Sequence, residues 1–135
     1  MTHKQVIVIR KDLKCCRGKE ISQGSHASLG AILSIATKEC DMSDPENPVY
    51  YLRIPLDERT EPWIMGSFTK ITVTVNSEEE MIALRDKAIE NGAINCLITD
   101  SGKTEFNGVP TITALAVGPD KFENIDKITG HLNLY

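Results

Sequence analysis

The pattern of hydrophobic and polar positions predicts strands that alternate with helices along the chain. Residues 4–10 contain the β-branched run Val6-Ile7-Val8-Ile9, which is typical of a strand buried on both faces. Residues 69–75 alternate polar and apolar side chains with a period of two, and apolar runs at 94–99 and 111–117 predict two further strands. Because helical patterns separate these strands, we expect an α/β fold in which one sheet is sandwiched by helices.

The longest predicted helix runs from Lys19 to about Cys40, a stretch without proline in which apolar and small residues recur at helical spacing. The residues that cluster on one side of this helix, and that we expect to face the core, are Ile21, Ser25, Ser28, Ile32 and Ile35. Gly24 and Gly30 make its first half thin. Since each glycine weakens a helix by roughly 1 kcal/mol relative to alanine, we expect a packing or ligand reason for them.

Two more helices and one irregular segment complete the prediction. Ser77 followed by Glu80 is a capping box, and the helix it opens is expected to end near Asn91-Gly92. A final helix is predicted over Asp120–Ile128. Residues 41–68 hold four of the six prolines and show little periodicity, which indicates an acidic insertion with a short strand at 49–54. Trp63 is expected to anchor this insertion on the body of the protein.

Length and composition describe an ordinary globular protein. The 135 residues correspond to one domain spanning 1–135, with 41% apolar and 25% charged residues. The longest aliphatic run has four residues, too short for a membrane span of about 20 residues or for a signal-peptide core, so we expect a cytoplasmic protein. The four cysteines have neither C-x-x-C nor zinc spacing, which predicts free thiols and no metal site.

The charge distribution changes what the net charge suggests. A net charge of −4 argues against a nucleic-acid partner, and residues 39–61 hold seven acids against two arginines. Residues 10–19, in contrast, hold five cations against one acid; these cations are Arg10, Lys11, Lys14, Arg17 and Lys19. Because fields at short range depend on neighbouring charges, this basic loop can bind phosphate on an acidic body. The alternative is that the loop is simply solvated.

One candidate for chemistry lies on the long predicted helix. Steps of four, three and four residues place Lys19, Gln23, His26 and Gly30 on one line, opposite the predicted core face. This line begins directly after the basic loop, at a helix N-terminus whose N–H groups favour an anion. An ammonium, an amide and an imidazole there could bind a phosphate or polarise a carbonyl. The alternative is the ordinary solvent-facing side of an amphipathic helix.

A second candidate is Asp100, at the end of the predicted strand 94–99 and before Ser101-Gly102-Lys103-Thr104. Gly-Lys-Thr suggests a phosphate-binding loop, but that motif requires glycine where Leu97 stands, and no helical pattern follows. Nucleotide binding by this route is therefore excluded. Asp100 itself is either a ligand-binding carboxylate at a strand end or a turn residue that satisfies local N–H groups.

Taken together in order, these residues resemble the type 2 peptidyl-tRNA hydrolase family over residues 4–40 and 69–135. The motifs that carry the resemblance are Lys4-Gln5-Val6-Ile7-Val8-Ile9-Arg10, Asp12-Leu13-Lys14, Gly18-Lys19, Gln23-x-Ser25-His26-Ala27, Asp100-Ser101-Gly102-Lys103-Thr104, Thr113-Ala114-Leu115-Ala116-Val117-Gly118-Pro119 and Ile125-Asp126-Lys127-x-Thr129-Gly130-His131-Leu132-x-Leu134-Tyr135. The resemblance implies a three-layer sandwich with a four-stranded mixed sheet, a homodimer, and no metal or organic cofactor. It also implies hydrolysis of the ester between a peptide, or an N-blocked amino acid, and the 3′-terminal ribose of tRNA.

The family's functional positions carry over onto Lys19, His26, Asp100 and Thr104, with Gln23 and Thr113 as supporting or binding residues. Their roles stay open at this point. Asp100 would orient or deprotonate the attacking water, Lys19 and Thr104 would stabilise the oxyanion or hold the ribose, and His26 would act in the chemistry or contact tRNA.

The tRNA-binding positions implied are the basic residues of the loop and Lys103, which would meet acceptor-stem phosphates. This chain departs from the family's pattern in two places. Residues 41–68 are longer than the usual link, and Ser101 and Lys103 stand where alanine and arginine are common. Lysine lacks arginine's bidentate fork, so we expect a weaker phosphate contact at Lys103.

Two rival functions are compatible with these residues. A deacylase would remove mischarged or D-amino acids from tRNA and would be distinguished by its activity on free aminoacyl-tRNA. A non-catalytic RNA- or protein-binding module on the same fold would have no need of Lys19, His26, Asp100 and Thr104 together.

Overall fold

A computed structural model of the protein describes residues 2–103 and 105–135, which form six strands and three helices of more than one turn. In chain order these elements are β1 (His3–Arg10), α1 (Arg17–Ser34), β2 (Thr37–Asp41), β3 (Val49–Arg53), β4 (Lys70–Val75), α2 (Glu78–Glu90), β5 (Asn95–Asp100), β6 (Thr111–Lys121) and α3 (Phe122–Thr129). A 3₁₀ turn at Lys11–Leu13 precedes α1, and a π-helical turn at Trp63–Ser67 precedes β4.

Four strands form a mixed sheet in the order β4-β1-β6-β5, in which β1 is parallel to β4 and antiparallel to β6, and β5 is antiparallel to β6. Successive side chains of β1 point to opposite faces. Val6 and Val8 pack with α2 and α3, whereas Ile7 and Ile9 pack with α1. Helices therefore cover both faces, and the predicted α/β sandwich with a four-stranded mixed sheet is confirmed.

The prediction for the first helix was wrong in its end and only partly right in its buried face, where Ile32 is buried as expected and Ile21 and Ser25 are exposed. The helix stops at Ser34, and the following residues form β2. Ile21 is 64% exposed, and the buried side of α1 consists of Gln23, Gly24, Ala27, Ala31 and Ile32. Small residues face the sheet because the helix lies close to it: a Cβ added at Gly30 would lie 2.6 Å from the Sγ of Cys96. Three larger apolar side chains of the helix, those of Ile21, Leu29 and Leu33, are exposed.

The remaining boundaries follow the predictions more closely. The hydroxyl of Ser77 accepts a hydrogen bond from the Glu80 backbone N–H, so the predicted cap begins α2. β6 continues four residues beyond the predicted end at Val117, because Lys121 still pairs with His3 of β1. The last helix consequently begins at Phe122 and not at Asp120.

Residues 37–53 form a hairpin of β2 and β3, with Thr37 directly opposite Arg53 at its base. The short strand predicted near 49–54 is thus present as β3. The hairpin strands pair with each other and not with the main sheet, and β3 exposes all of its side chains. Further along, Trp63 is buried, and its indole N–H donates to the Thr69 carbonyl, as expected of an anchor.

The structure also bears on two further expectations, that the cysteines are free thiols and that the chain has no membrane span. All four cysteines are free thiols. Within residues 2–103 and 105–135, the helices are too short or too polar to cross a membrane.

Candidate active site

The first turn of α1 and the last residue of β5 bring Lys19 and Asp100 together. The Lys19 Nζ donates a hydrogen bond to Asp100 Oδ1 at 3.1 Å. Their side chains are 15% and 13% exposed, so the ion pair is largely shielded and still reachable from solvent. The two constellations noted in the sequence, 81 positions apart, therefore lie at one place on the molecule.

Two buried polar side chains support this pair from below. The hydroxyl of Thr113, on β6, donates to Gln23 Oε1 at 2.5 Å. This contact fixes the orientation of the amide, because an amide oxygen accepts and an amide nitrogen donates. The Gln23 Nε2 consequently points at Asp100 and donates to Oδ1 at 3.2 Å. A buried chain of hydrogen bonds thus runs from β6 through α1 to the carboxylate.

The second carboxylate oxygen is held by the loop that follows β5. The Gly102 backbone N–H donates to Asp100 Oδ2 at 2.9 Å. Gly102 has a φ of +79°, and a Cβ added there would lie 2.0 Å from the Val109 carbonyl oxygen. Only glycine fits this position, since the left-handed conformation and the close backbone approach both exclude a side chain.

These donors set the ionisation of the site. The pKa of Asp100 is held below its ordinary value, chiefly by the Gly102 N–H and then by the Lys19 ammonium. Asp100 is therefore a carboxylate at neutral pH and a weak base. Such a group accepts hydrogen bonds well and gains little from taking a proton.

The predicted helical line is corrected by the burial of its members. Gln23 is buried and Lys19 faces Asp100, so these two members of the line point toward the protein and not to solvent, as the prediction had it. Gly30 lies against Cys96 because it has no side chain. His26 is exposed, and its ring forms no hydrogen bond with the described part of the chain. Thr104 lies outside the described residues.

The basic residues of the loop and Lys103 differ in whether their side chains are already bound within the protein. The Arg10 guanidinium is already engaged, because it pairs with Asp12 at 2.6 Å and donates to the Ile112 carbonyl at 3.0 Å. The side chains of Lys11, Lys14, Arg17 and Lys103 are exposed. The loop thus presents cations to solvent beside the Lys19–Asp100 pair.

Sequence reasoning missed two contributors to the site. The Lys19 ammonium lies 5.9 Å from the centroid of the Phe106 ring, within the range of a cation–π interaction. The Cys16 thiol donates to Glu105 Oε1 at 3.4 Å, which ties the start of α1 to the same loop. Phe106 and Glu105 belong to a segment without periodicity, so no pattern in the sequence indicates where their side chains lie.

Chemically, the arrangement offers a fixed positive charge and a fixed negative charge side by side, and exposed cations lie on the preceding and following loops. A developing oxyanion would be stabilised by the ammonium, and a water molecule could be oriented by the carboxylate. Both groups are held by hydrogen bonds before any substrate arrives. This is a site suited to adding water to an activated carbonyl.

Comparison with known proteins agrees with the resemblance seen in the sequence. The family model described as Peptidyl-tRNA hydrolase PTH2 matches residues 3–135. The chain is 39% identical over 131 residues to a protein of Methanocaldococcus jannaschii named peptidyl-tRNA hydrolase, covering 97% of this chain and 98% of that one. Proteins of the same name from Haloquadratum walsbyi and Nanoarchaeum equitans are 35% and 37% identical; the matches cover 98% of this chain and 99% and 98% of the relatives, respectively.

Proposed function

This chain belongs to the Peptidyl-tRNA hydrolase PTH2 family, and we propose that its Lys19–Asp100 pair carries out the hydrolysis. As a member of this family it is a hydrolase that acts on the ester bond of peptidyl-tRNA. The observation that carries the assignment of residues is the shielded ion pair, whose carboxylate is held by Gln23 and the Gly102 N–H.

In the proposed reaction, Asp100 orients a water molecule toward the carbonyl carbon of the ester. The water oxygen bonds to that carbon, and the Lys19 ammonium stabilises the negative charge that develops on the carbonyl oxygen. The bond to the terminal ribose oxygen then breaks, and that oxygen takes up a proton to become the ribose hydroxyl, which balances the proton that the attacking water loses. Asp100 acts by orientation because its low pKa makes it a poor proton acceptor. Thr104 remains a prediction as a further donor to the oxyanion or ribose.

The direct test is release of N-acetylated amino acid from N-acetyl-aminoacyl-tRNA by the purified protein. Lys19→Ala should lower the rate at least tenfold, whereas Lys127→Ala, an exposed lysine on α3, should leave it unchanged. A wild-type rate in Lys19→Ala would contradict the assignment. Hydrolysis of free aminoacyl-tRNA in preference to the N-acetylated form would instead identify a deacylase.

We further propose that the exposed cations beside the site bind acceptor-stem phosphates. If three to five phosphates are neutralised, the logarithm of tRNA affinity should fall with the logarithm of salt concentration at a slope of roughly −2 to −4. Filter binding or fluorescence anisotropy across a salt series measures this slope. A flat response would mean that the basic loop is only solvated. Arg10 remains a predicted contact, although its guanidinium is engaged within the protein.

We assign His26 to tRNA contact and not to the chemical step, because its ring is exposed whereas Lys19 and Asp100 are largely shielded. His26→Ala should raise KM for N-acetyl-aminoacyl-tRNA several-fold while kcat stays within about threefold. Steady-state kinetics separate the two parameters. A fall in kcat of about 100-fold would return His26 to the reaction mechanism.

We also propose that the protein forms a homodimer and acts in the cytoplasm, where translation produces its substrate. The β2–β3 hairpin supports association, because Val49, Tyr50, Tyr51 and Leu52 are exposed on it. An isolated two-stranded hairpin is marginally stable in water, so contact with a second copy would stabilise it. Light scattering coupled to gel filtration should give twice the monomer mass of 14.9 kDa.

A further inference from the structure

A large apolar groove lies on the side of α1 that faces away from Lys19 and Asp100. Its volume is about 800 Å³, within the range of ligand pockets. Its floor includes Ile7, Ile9 and Thr72 of the sheet. The helix supplies one wall, and residues between β3 and β4 supply the other.

The groove exposes apolar side chains that nothing in the described chain covers. Leu29 on the helix wall is 60% exposed, and Phe68 on the opposite wall is 53% exposed. Soluble monomeric proteins rarely expose large contiguous apolar surface, and where they do it often marks an interaction site or a ligand groove. Polar groups are few and are suited to a peptide backbone: the Lys70 ammonium can donate to carbonyls. The hydroxyls of Ser25 and Ser28, whose protons go to protein acceptors, can accept from N–H groups.

One end of the groove lies at the same turn of α1 as Lys19, on the other side of the helix. Arg17 and Glu20 line the groove, and Lys19 stands between them in the same turn of α1. The separation across the helix is about its diameter, 10–12 Å with side chains. An extended peptide covers that distance with three or four residues, at about 3.3 Å each.

We propose that this groove binds the peptide part of peptidyl-tRNA and favours peptides with apolar side chains, an inference that rests on the proposed function. The occupant is a peptide because the ester at Lys19 and Asp100 tethers one there. A tethered group reaches a high effective concentration at the neighbouring surface, so even a weak contact is occupied.

The far wall of the groove comes from residues 54–68, which lie in the segment that we predict to be an insertion. Ile54, Trp63 and Phe68 belong to it or adjoin it. Trp63 is buried, bonded to the Thr69 carbonyl and in ring contact with Phe68 at 4.6 Å, which makes the wall rigid. The peptide preference would therefore depend on residues 54–68 as well as on α1 and the sheet.

The experiment compares two substrates on one tRNA: N-acetyl-phenylalanyl-tRNA, and a pentapeptidyl-tRNA of leucines and valines ending in the same phenylalanine. For Leu29→Glu, kcat/KM for the pentapeptide relative to the N-acetyl substrate should fall about tenfold, mainly through KM. Ile89→Glu, which changes an exposed apolar residue on α2, should leave the ratio as in the wild type.

Each other outcome overturns the inference. An unchanged ratio in Leu29→Glu would show that the peptide lies elsewhere. A wild-type dimer that becomes monomeric in Leu29→Glu, measured by light scattering, would show that a second copy covers the groove. If the wild-type protein releases neither substrate, the proposed function fails and this inference fails with it. If the wild type and both variants release both substrates with the same ratio of kcat/KM values, the groove does not bind the peptide, but the proposed function stands.

Discussion

Replacement of Asp100 by asparagine is expected to lower kcat for N-acetyl-aminoacyl-tRNA on the order of 100-fold or more, while tRNA affinity stays within about threefold. The carboxylate presents acceptors to three donors: Lys19, Gln23 and the Gly102 N–H. Asparagine has one acceptor oxygen, and its NH₂ group must face one of these donors. The Lys19 ammonium also loses the charge that holds it in place.

The matched control is Asp86→Asn, an exposed aspartate on α2, which pairs with Arg85 on the opposite face of the sheet from Lys19. Its kcat should equal that of the wild type, because the change removes the same charge far from the site. Single-turnover kinetics and tRNA binding by anisotropy measure the two quantities separately. An Asp100→Asn variant with near-normal turnover would remove Asp100 from the mechanism.

Gly102→Ala is expected to be damaging twice over, to stability and to activity. The left-handed backbone costs about 1–2 kcal/mol for a residue with a side chain. The added Cβ would also lie 2.0 Å from the Val109 carbonyl, so the loop must shift. That shift moves the N–H that holds Asp100 Oδ2, and we expect kcat to fall on the order of 100-fold.

Gly108→Ala separates the two causes. Gly108 lies in the same loop with a φ of +77°, yet nothing lies within 4 Å of an added Cβ. It should therefore lose only the conformational term of about 1–2 kcal/mol and keep kcat within about threefold. Urea unfolding and kcat for both variants provide the comparison. Equal kcat in the two variants would show that the Gly102 N–H does not position Asp100.

The strands were predictable because their signal is local. The β-branched run of β1 and the alternation of β4 state directly which side chains are buried. Hydrophobicity identified Ile32 on the buried face of α1 but not the rest of that face, because close packing on the sheet selects small residues. Ala27 and Ala31 are buried, and the larger Ile21 is left exposed. Size complementarity depends on the partner surface, which the helix sequence alone does not describe.

For the site, too, the sequence predicted some features and not others. Lys19 and Asp100 were identified from short motifs and a family resemblance. Their meeting depends on how β5 and α1 pack, 81 positions apart in the chain. The link from Thr113 to Gln23 spans 90 positions and has no periodic signature. Such contacts follow from tertiary packing. Sequence patterns can therefore identify the residues of the site but not the hydrogen bonds between them.

The closed base of the β2–β3 hairpin makes this part of the protein modular. Because Thr37 and Arg53 face each other across the ladder, the backbone enters and leaves the hairpin at neighbouring points. A foreign loop, epitope or fluorescent reporter can therefore be grafted between them without stretching the chain on either side. The ends of such an insert would meet the scaffold at the spacing of paired strands, in a two-stranded sheet separate from the four-stranded one.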